Sequence, residues 1–317
     1  MLSSVNVFST CWNSSRHKEG GPMCDEIREL GFEYIEASHG MPLSMLPGLM
    51  QAVEEKRIRV AGVHNFFPAP IDVRGDAPDA FRFTSHRPEQ RARALNLTME
   101  TLRAAAALGA SYVVLHMGEV ELFRGHKATH TLQRMVRHGL AGTEEYARVK
   151  GELVRRRIKL APLYLQRAKD ALYALVDKAK ELNLVLGVEG RSHFEQVPGE
   201  LEFPDLLEEF ADCPHVRYWH DFGHIQRKHN LLLLNHDAYL RKLSPYMYGA
   251  HVNDVQWPQR DHRAPFQGGD VDFDTLLPRY FNQSMPLTWE LSKSVTREQI
   301  LIAKERWDAL HARLPQG

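Results

Sequence analysis

Four acidic or imidazole side chains stand at the far ends of four short apolar stretches in the second half of the chain. They are Glu189, Asp221, His251 and Glu290, and His224 follows the second of them by three positions. Carboxylate oxygens together with one imidazole form a ligand set suited to a divalent cation such as Mn, Mg, Co or Zn. If the four stretches are neighbouring strands, the pattern predicts a divalent-metal site where their ends meet.

A parallel barrel is the architecture that brings such strand ends to one face. The chain alternates strand-like and helix-like segments, with eight pairs in register, which predicts an α/β fold of the (β/α)8 TIM barrel type. The predicted strands cover residues 4–12, 32–38, 59–66, 111–117 and 184–191, followed by 216–224 and by two strands that end near 254 and 290.

One stretch departs from the regular alternation. Residues 118–160 are polar and rich in Arg and His, and we interpret them as a partly helical insertion before a long helix at 161–182. The basic residues at 124–138 could bind a phosphate group, or they could form an ordinary solvated face. The whole chain, 1–317, is expected to be one barrel domain that carries this insertion.

Composition limits the function classes. The chain has 317 residues, 43% of them hydrophobic, with 40 Lys plus Arg against 40 Asp plus Glu. This balance gives no general attraction to nucleic acid or to an acidic membrane. Three cysteines without a CxxC motif fit reduced thiols, and no segment approaches the ~20 apolar residues of a membrane span. We therefore expect a soluble cytoplasmic protein with no nucleic-acid or membrane partner, and its oligomeric state stays open.

Several of these motifs resemble the xylose-isomerase-like barrel family. That family includes sugar isomerases and epimerases, inosose dehydratases and the apurinic endonuclease IV enzymes. The resemblance covers nearly the whole chain, although residues 267–273 read QGGDVDF where PGEGDIDF is common and the insertion is not standard. The matching positions are Glu189, Asp221-Phe-Gly-His224, His251-Val-Asn-Asp254, Asp261-His-Arg263, the glycine-rich run at 268–273, and Glu290.

The resemblance implies a specific use for these residues. Glu189, Asp221, His251 and Glu290 would hold one divalent metal ion, and the two glutamates would also act as acid and base. A proton would move between adjacent carbons of a small carbohydrate or polyol through a metal-stabilised enediolate. His224 and Arg263 would contact substrate oxygens by the same resemblance. Which glutamate is the base is not determined.

Four further residues near the ends of the first strands are candidates for substrate binding. His64 and His116 end strands three and four and face the same mouth. They could contact substrate, hydrogen-bond a carboxylate, or bind a second metal ion. Glu36 ends strand two, and Trp12 at the end of strand one could form part of an apolar sugar-stacking wall, although aromatic residues near strand ends commonly belong to the core.

These observations leave three function classes. The leading one is a metal-dependent sugar or polyol isomerase or epimerase, or a related lyase. The alternative is a phosphodiester hydrolase of the endonuclease IV type, which would need several metal ions and a DNA-binding surface. The balanced charge argues against it, as does Arg263, which stands where that branch has a second histidine. A noncatalytic barrel subunit is the third class.

Overall fold

Eight parallel strands close into a barrel in the computed structural model, which describes residues 6–71, 73, 78–122, 127–258 and 260–316. In chain order the strands are β1 (Asn6–Ser9), β2 (Tyr34–Ala37), β3 (Arg59–His64), β4 (Tyr112–Leu115), β5 (Gly118–Glu119), β6 (Val185–Glu189), β7 (Gln196–Val197), β8 (Val216–Asp221), β9 (Met247–Val252), β10 (Asp254–Gln256), β11 (Arg260–Arg263) and β12 (Leu287–Trp289). The barrel order is β1-β12-β9-β8-β6-β4-β3-β2, and β1 pairs with both β12 and β2. The predicted (β/α)8 barrel is confirmed.

Helices connect and surround these strands. They are α1 (Gly20–Glu29), α2 (Leu46–Glu54), α3 (Pro88–Ala107), α4 (Lys127–Arg137), α5 (Glu144–Glu181), α6 (Phe203–Glu209), α7 (Phe222–Asn230), α8 (His236–Leu243), α9 (Phe273–Tyr280) and α10 (Arg297–His311). A capping box of Thr296 and Gln299 begins α10. Among the helices described here, none combines the length and the apolar character needed to cross a membrane.

Three predicted elements have a boundary that was wrong by three residues or more. The first strand ends at Ser9, because the chain turns into a 3₁₀-helix at Thr10–Trp12. The sixth ends at Asp221 instead of His224, because the Asp221 carboxylate caps α7 by accepting a hydrogen bond from the His224 backbone N–H at 2.7 Å. The long helix begins at Glu144, so α5 includes the end of the predicted insertion.

The inside of the barrel is filled below the carboxyl ends of its strands. The rings of Tyr112 and Trp219 stack with centroids 4.5 Å apart, and Val7, Ala61 and Val114 pack around them. The Tyr112 hydroxyl is 2.9 Å from Thr288 Oγ1. These side chains close the barrel floor, so a ligand can enter only from the carboxyl-terminal face.

The insertion is fixed to the barrel through a buried arginine on α5. Arg157, 4% exposed, forms an ion pair with Glu202 and donates hydrogen bonds to the carbonyl oxygens of Phe194 and Gln196 at 2.7 Å. Because residues 194–202 follow β6, these contacts join the helix to the loop that leaves the end of that strand.

Glu26 on α1 fixes the turn that precedes this helix. Its carboxylate accepts hydrogen bonds from Asn13 Nδ2 and Arg16 Nη2, both at 2.9 Å, and lies 2.7 Å from His17 Nε2. Burial raises the pKa of Glu26, but these three partners outweigh burial and lower it to about 2. Ser14 in this turn lines the cavity described below, so Glu26 supports one cavity wall.

We expect Glu26→Gln to lower the free energy of unfolding by about 1 kcal/mol at neutral pH, since the ion pairs are partly exposed. Folding lowers this pKa, so the wild-type contribution is complete above the ordinary value of 4.5 and is lost as the pH falls toward about 2. Urea unfolding of wild type and Glu26→Gln, at neutral pH and near pH 2, measures the difference in the free energy of unfolding. If the difference in the free energy of unfolding between the two proteins stays constant with pH, the stabilising role of the ionised Glu26 is contradicted.

Candidate active site

The carboxyl ends of the barrel strands enclose a cavity of about 800 Å³. Five of the predicted site residues line it: His64, His116, His224, Arg263 and Glu290. Three others lie deeper, each at most 1% exposed: Glu189, Asp221 and His251. The barrel thus brings the predicted residues of β6, β8 and β9, and Glu290 directly after β12, to one place.

His251 has a buried nitrogen that faces three carboxylates. Its Nδ1 makes no hydrogen bond, and the oxygens around it are Glu290 Oε2 at 3.3 Å, Asp221 Oδ2 at 3.6 Å and Glu189 Oε1 at 3.8 Å. On the other side of the ring, Nε2 lies 3.0 Å from Glu36 Oε1. Burial lowers the pKa of His251, but the charges of Glu290 and Glu36 outweigh it and hold that pKa well above its usual range. The neutral ring, which is the form that binds a metal ion, keeps its proton on Nε2 facing Glu36 and directs the Nδ1 lone pair at the carboxylates. This donor set fits a divalent cation.

Two neighbours orient the Asp221 carboxylate. Its Oδ1 accepts from the His224 backbone N–H, and its Oδ2 accepts from Asn253 Nδ2 at 3.0 Å. The same turn of α7 places His224 Nδ1 2.9 Å from Glu189 Oε1. Asp221 therefore has a fixed orientation, and His224 lies between the buried carboxylates and the cavity.

Nearby cations keep both glutamates ionised. Burial raises the pKa of Glu189, but His116 and Arg191 outweigh it and hold that pKa well below its usual range. Burial also opposes ionisation of Glu290, and the charge of His251 is the largest influence that lowers its pKa. Ionised carboxylates are the form in which these side chains bind metal.

His64 and His116 direct one ring nitrogen each at the same oxygen. The Nε2 atoms lie 3.3 Å and 2.7 Å from Glu189 Oε2. The Nδ1 of His64 is 3.0 Å from the Asn65 carbonyl oxygen, and the Nδ1 of His116 is 3.0 Å from Asp79 Oδ1. Both acceptors require a proton on Nδ1, so in the neutral rings both Nε2 lone pairs point at Glu189.

Arg191 and Asp79 belong to the candidate site, although neither was predicted to have a role there. Arg191 Nη1 donates to His116 Nε2 and lies 3.5 Å from Glu189 Oε1, while its Nη2 is 3.0 Å from Asp79 Oδ2. The position of Arg191 directly after Glu189 and Gly190 was a usable signal. Asp79 comes from the long loop between β3 and α3, where no pattern indicates which side chain turns inward.

His262 is a third residue whose role was missed. It lies on β11 with φ of 51°, and its Nδ1 is 3.0 Å from the Glu290 carbonyl oxygen and 3.6 Å from Glu290 Oε2. Burial lowers the pKa of His262, but Asp261 and Glu290 outweigh it and raise it to about 9. Its position between Asp261 and Arg263, in a motif that matches the family, was the signal that could have identified it.

Arg263 lines the cavity, and among the described residues its side chain has no hydrogen-bond or ion-pair partner. The two carboxylates that could have paired with it on the same loop are engaged elsewhere. Asp261 pairs with Arg227, and Asp270 accepts from Asn230 Nδ2 at 2.7 Å.

Two predicted substrate contacts need correction. Glu36 is fully buried and lies behind His251, so it can orient that ring but does not line the cavity. Trp12 is 2% exposed and donates from Nε1 to the Val295 carbonyl oxygen at 2.8 Å. The early end of β1 turns this ring into the core, where its edge packs on Phe8.

The basic stretch of the insertion does not contribute to this cavity. None of Lys127, His130, Arg134, Arg137 and His138 lines it, while Arg124 and His126 lie outside the described residues. The cavity itself therefore gives no support to a phosphate site on these side chains.

Comparison with known proteins agrees with the fold. The sequence pattern of the xylose isomerase-like TIM barrel family matches residues 24–280. No curated protein sequence matches the chain. Similar solved structures include the 3-keto-D-glucoside 4-epimerase of E. coli, at 14% identity, a TM-score of 0.64 and coverage of 97% of this chain and 99% of that one.

Two further structures are similar over nearly their whole length. D-allulose 3-epimerase from Methylomonas sp., in complex with D-allulose, has 13% identity, a TM-score of 0.63 and 98% coverage of each chain. The IolI protein with a bound zinc atom has 14% identity, a TM-score of 0.65 and coverage of 98% of this chain and 99% of that one.

At these identities the structural likeness shows the fold alone, whereas the family pattern spans the barrel from α1 to α9. The predictions of the family and of an enzyme are confirmed by this match. The chain belongs to the xylose isomerase-like TIM barrel family.

Proposed function

We propose that this protein is a divalent-metal-dependent isomerase or epimerase of a sugar or polyol, or a closely related lyase. The observation that carries the proposal is the unpaired Nδ1 of His251, buried among the carboxylates of Glu189, Asp221 and Glu290. These four side chains would hold one divalent ion, Mn, Mg, Co or Zn, beneath a cavity large enough for a sugar.

Glu189 and Glu290 are the proposed acid and base. A bound cation would supply positive charge next to the substrate oxygens, which favours loss of a proton from the adjacent carbon. Glu290 lines the cavity and would reach a carbon held there, whereas Glu189 lies deeper and is 1% exposed. One carboxylate would remove the proton and the other would return it.

The remaining cavity residues would position the substrate. His224 and Arg263 are proposed to contact its oxygens, and His64 and His116 to direct the Glu189 carboxylate. The names of the similar structures suggest ketoses and 3-keto sugars as the first compounds to test. We include a cytoplasmic location in the proposal, supported by the small number of cysteines, three, and the lack of a CxxC motif in the sequence.

The proposal is tested by proton exchange. We expect the Mn-loaded protein, incubated in heavy water with ketoses, inososes and 3-keto sugars, to introduce deuterium next to the carbonyl group of at least one of them. Proton NMR measures the exchange, and metal-free protein is the control. Absence of exchange with every compound in metal-loaded protein would contradict the proposal.

A phosphodiester hydrolase is the second candidate. It is favoured by the convergence of the His64 and His116 lone pairs on Glu189 Oε2, a geometry that could bind another metal ion. It is opposed by the guanidinium of Arg191, which contacts His116 Nε2 and the other oxygen of Glu189, Oε1. Cleavage of duplex DNA at an abasic site, in the absence of sugar exchange, would favour this candidate.

A further inference from the structure

The positively charged guanidinium of Arg191 lies beside one group of potential metal ligands in the cavity. A ligand atom from each of His64, His116 and Glu189 lies within 4.8 Å of the others, which is close enough to surround one ion. The Nη1 of Arg191 approaches two members of this group, His116 Nε2 and Glu189 Oε1.

Both terminal nitrogens of the Arg191 guanidinium have partners. While Nη1 faces the two ligands, Nη2 is held by Asp79 Oδ2 at 3.0 Å. The other oxygen of Asp79 accepts from His116 Nδ1 at 3.0 Å, so a single carboxylate orients both the arginine and the histidine. The Arg191 side chain is 11% exposed, which leaves it little room to take another position.

A metal ion and this guanidinium compete for the same electrons. In the neutral His116 ring, the proton on Nδ1 faces Asp79 and leaves Nε2 with a single lone pair, and a Zn–N bond of about 2.0 Å would require that pair. Arg191 Nη1 uses it as a hydrogen-bond acceptor. A divalent ion at this position would also lie beside a buried positive charge, which repels it.

We infer that Arg191 occupies the cation position beside His116 and Glu189 and so excludes a second metal ion from the cavity. The inference rests on the proposed single-metal function and deepens it. Arg191 is thus a positioning residue that presents hydrogen-bond donors where another member of this architecture could present a metal. Its Nε is buried and has no hydrogen-bond partner among the described residues.

Metal content per chain tests this inference. Wild type, Arg191→Met and Arg191→Gln are stripped, exposed to excess Zn²⁺, desalted and measured by elemental mass spectrometry. Each substitution removes the positive charge and frees the His116 lone pair. We expect both variants to bind one more zinc ion per chain than wild type. Two variants are made because either substitution takes a charged partner away from the buried Glu189 carboxylate and can destabilise the fold. Circular dichroism shows which variant is folded, and the zinc content of that variant is compared with wild type.

Two controls locate the additional ion. Lys293→Met removes a positive charge from the same cavity without freeing a ligand, and should leave the zinc content of wild type unchanged. Adding His116→Asn to Arg191→Met should remove the additional ion. The inference is overturned if neither Arg191 variant gains zinc, if the gain survives loss of His116, or if Lys293→Met gains it too.

The outcome is independent of the test of the proposed function. The inference concerns the difference in bound zinc per chain between wild type and the Arg191 variants. Measuring this difference needs no substrate. A wild-type protein that binds no metal would contradict the proposed metal-dependent function. Equal zinc content in wild type and the Arg191 variants would contradict only the role of Arg191.

Discussion

Glutamine at position 189 or 290 is expected to reduce turnover by about 10²–10⁴-fold, the range for loss of general acid or base catalysis. Glutamine keeps the volume of the side chain but cannot take up or return a proton at neutral pH. It also removes one negative charge from the ligand set around His251. Steady-state rates with the substrate found by proton exchange measure the effect.

The matched control for these variants is Glu209→Gln. Glu209 lies on the outer helix α6 and contacts Lys169 and Tyr173, far from any proposed ligand. It should turn over at the wild-type rate. Circular dichroism must show that both site variants are folded, and wild-type turnover in either of them would remove that glutamate from the acid and base pair.

Arg263→Ala is expected to cost about 2–4 kcal/mol of transition-state stabilisation, or roughly 30- to 900-fold in kcat/KM. Arg263 lines the cavity and has no ion-pair partner among the described residues, because Asp261 is engaged by Arg227. Its guanidinium is therefore available to a substrate oxygen, and this charge-assisted hydrogen bond should strengthen as negative charge develops.

Metal content should be unchanged in Arg263→Ala, since Arg263 supplies no ligand. Arg279→Ala serves as the control, because this exposed arginine pairs with Asp237 on the outside of the barrel. If kcat/KM of Arg263→Ala stays near that of wild type, Arg263 is not a substrate-binding residue. A loss that is confined to thermal stability would lead to the same conclusion.

The position of the site could be predicted from the sequence because strand ends in a parallel barrel share one face. Glu189, Asp221, His251 and Glu290 each end or follow a short apolar run, and the barrel places all of them beneath one cavity. Strand periodicity is a local property, so it locates a residue along the chain and at one end of the barrel.

The direction of a side chain at that end depends on the backbone beyond the strand. Trp12 turns into the core because β1 gives way to a 3₁₀-helix, a change with no clear sequence signal. Glu36 is at the correct strand end, yet it faces His251 instead of the cavity. His262 and Asp79 reach the site from a hairpin and a long loop, whose conformations depend on tertiary contacts.

The length of α5 has a mechanical consequence for the entrance to the barrel. At 1.5 Å per residue, its 38 residues span about 57 Å, nearly twice the length of the 20-residue α3. Since its carboxyl end leads into the start of β6, the amino-terminal half extends beyond the rim. Tyr146 and Lys150 in that half donate to the carbonyl oxygens of Leu231 and Leu232.

The extended half of α5 is therefore braced at two heights, by Arg157 near the rim and by Tyr146 farther out. Pro162 removes one backbone hydrogen bond from the helix, but these braces resist bending there. The extended half of this helix therefore holds the loop at 194–202 and the chain at 231–232 in fixed positions beyond the rim of the barrel.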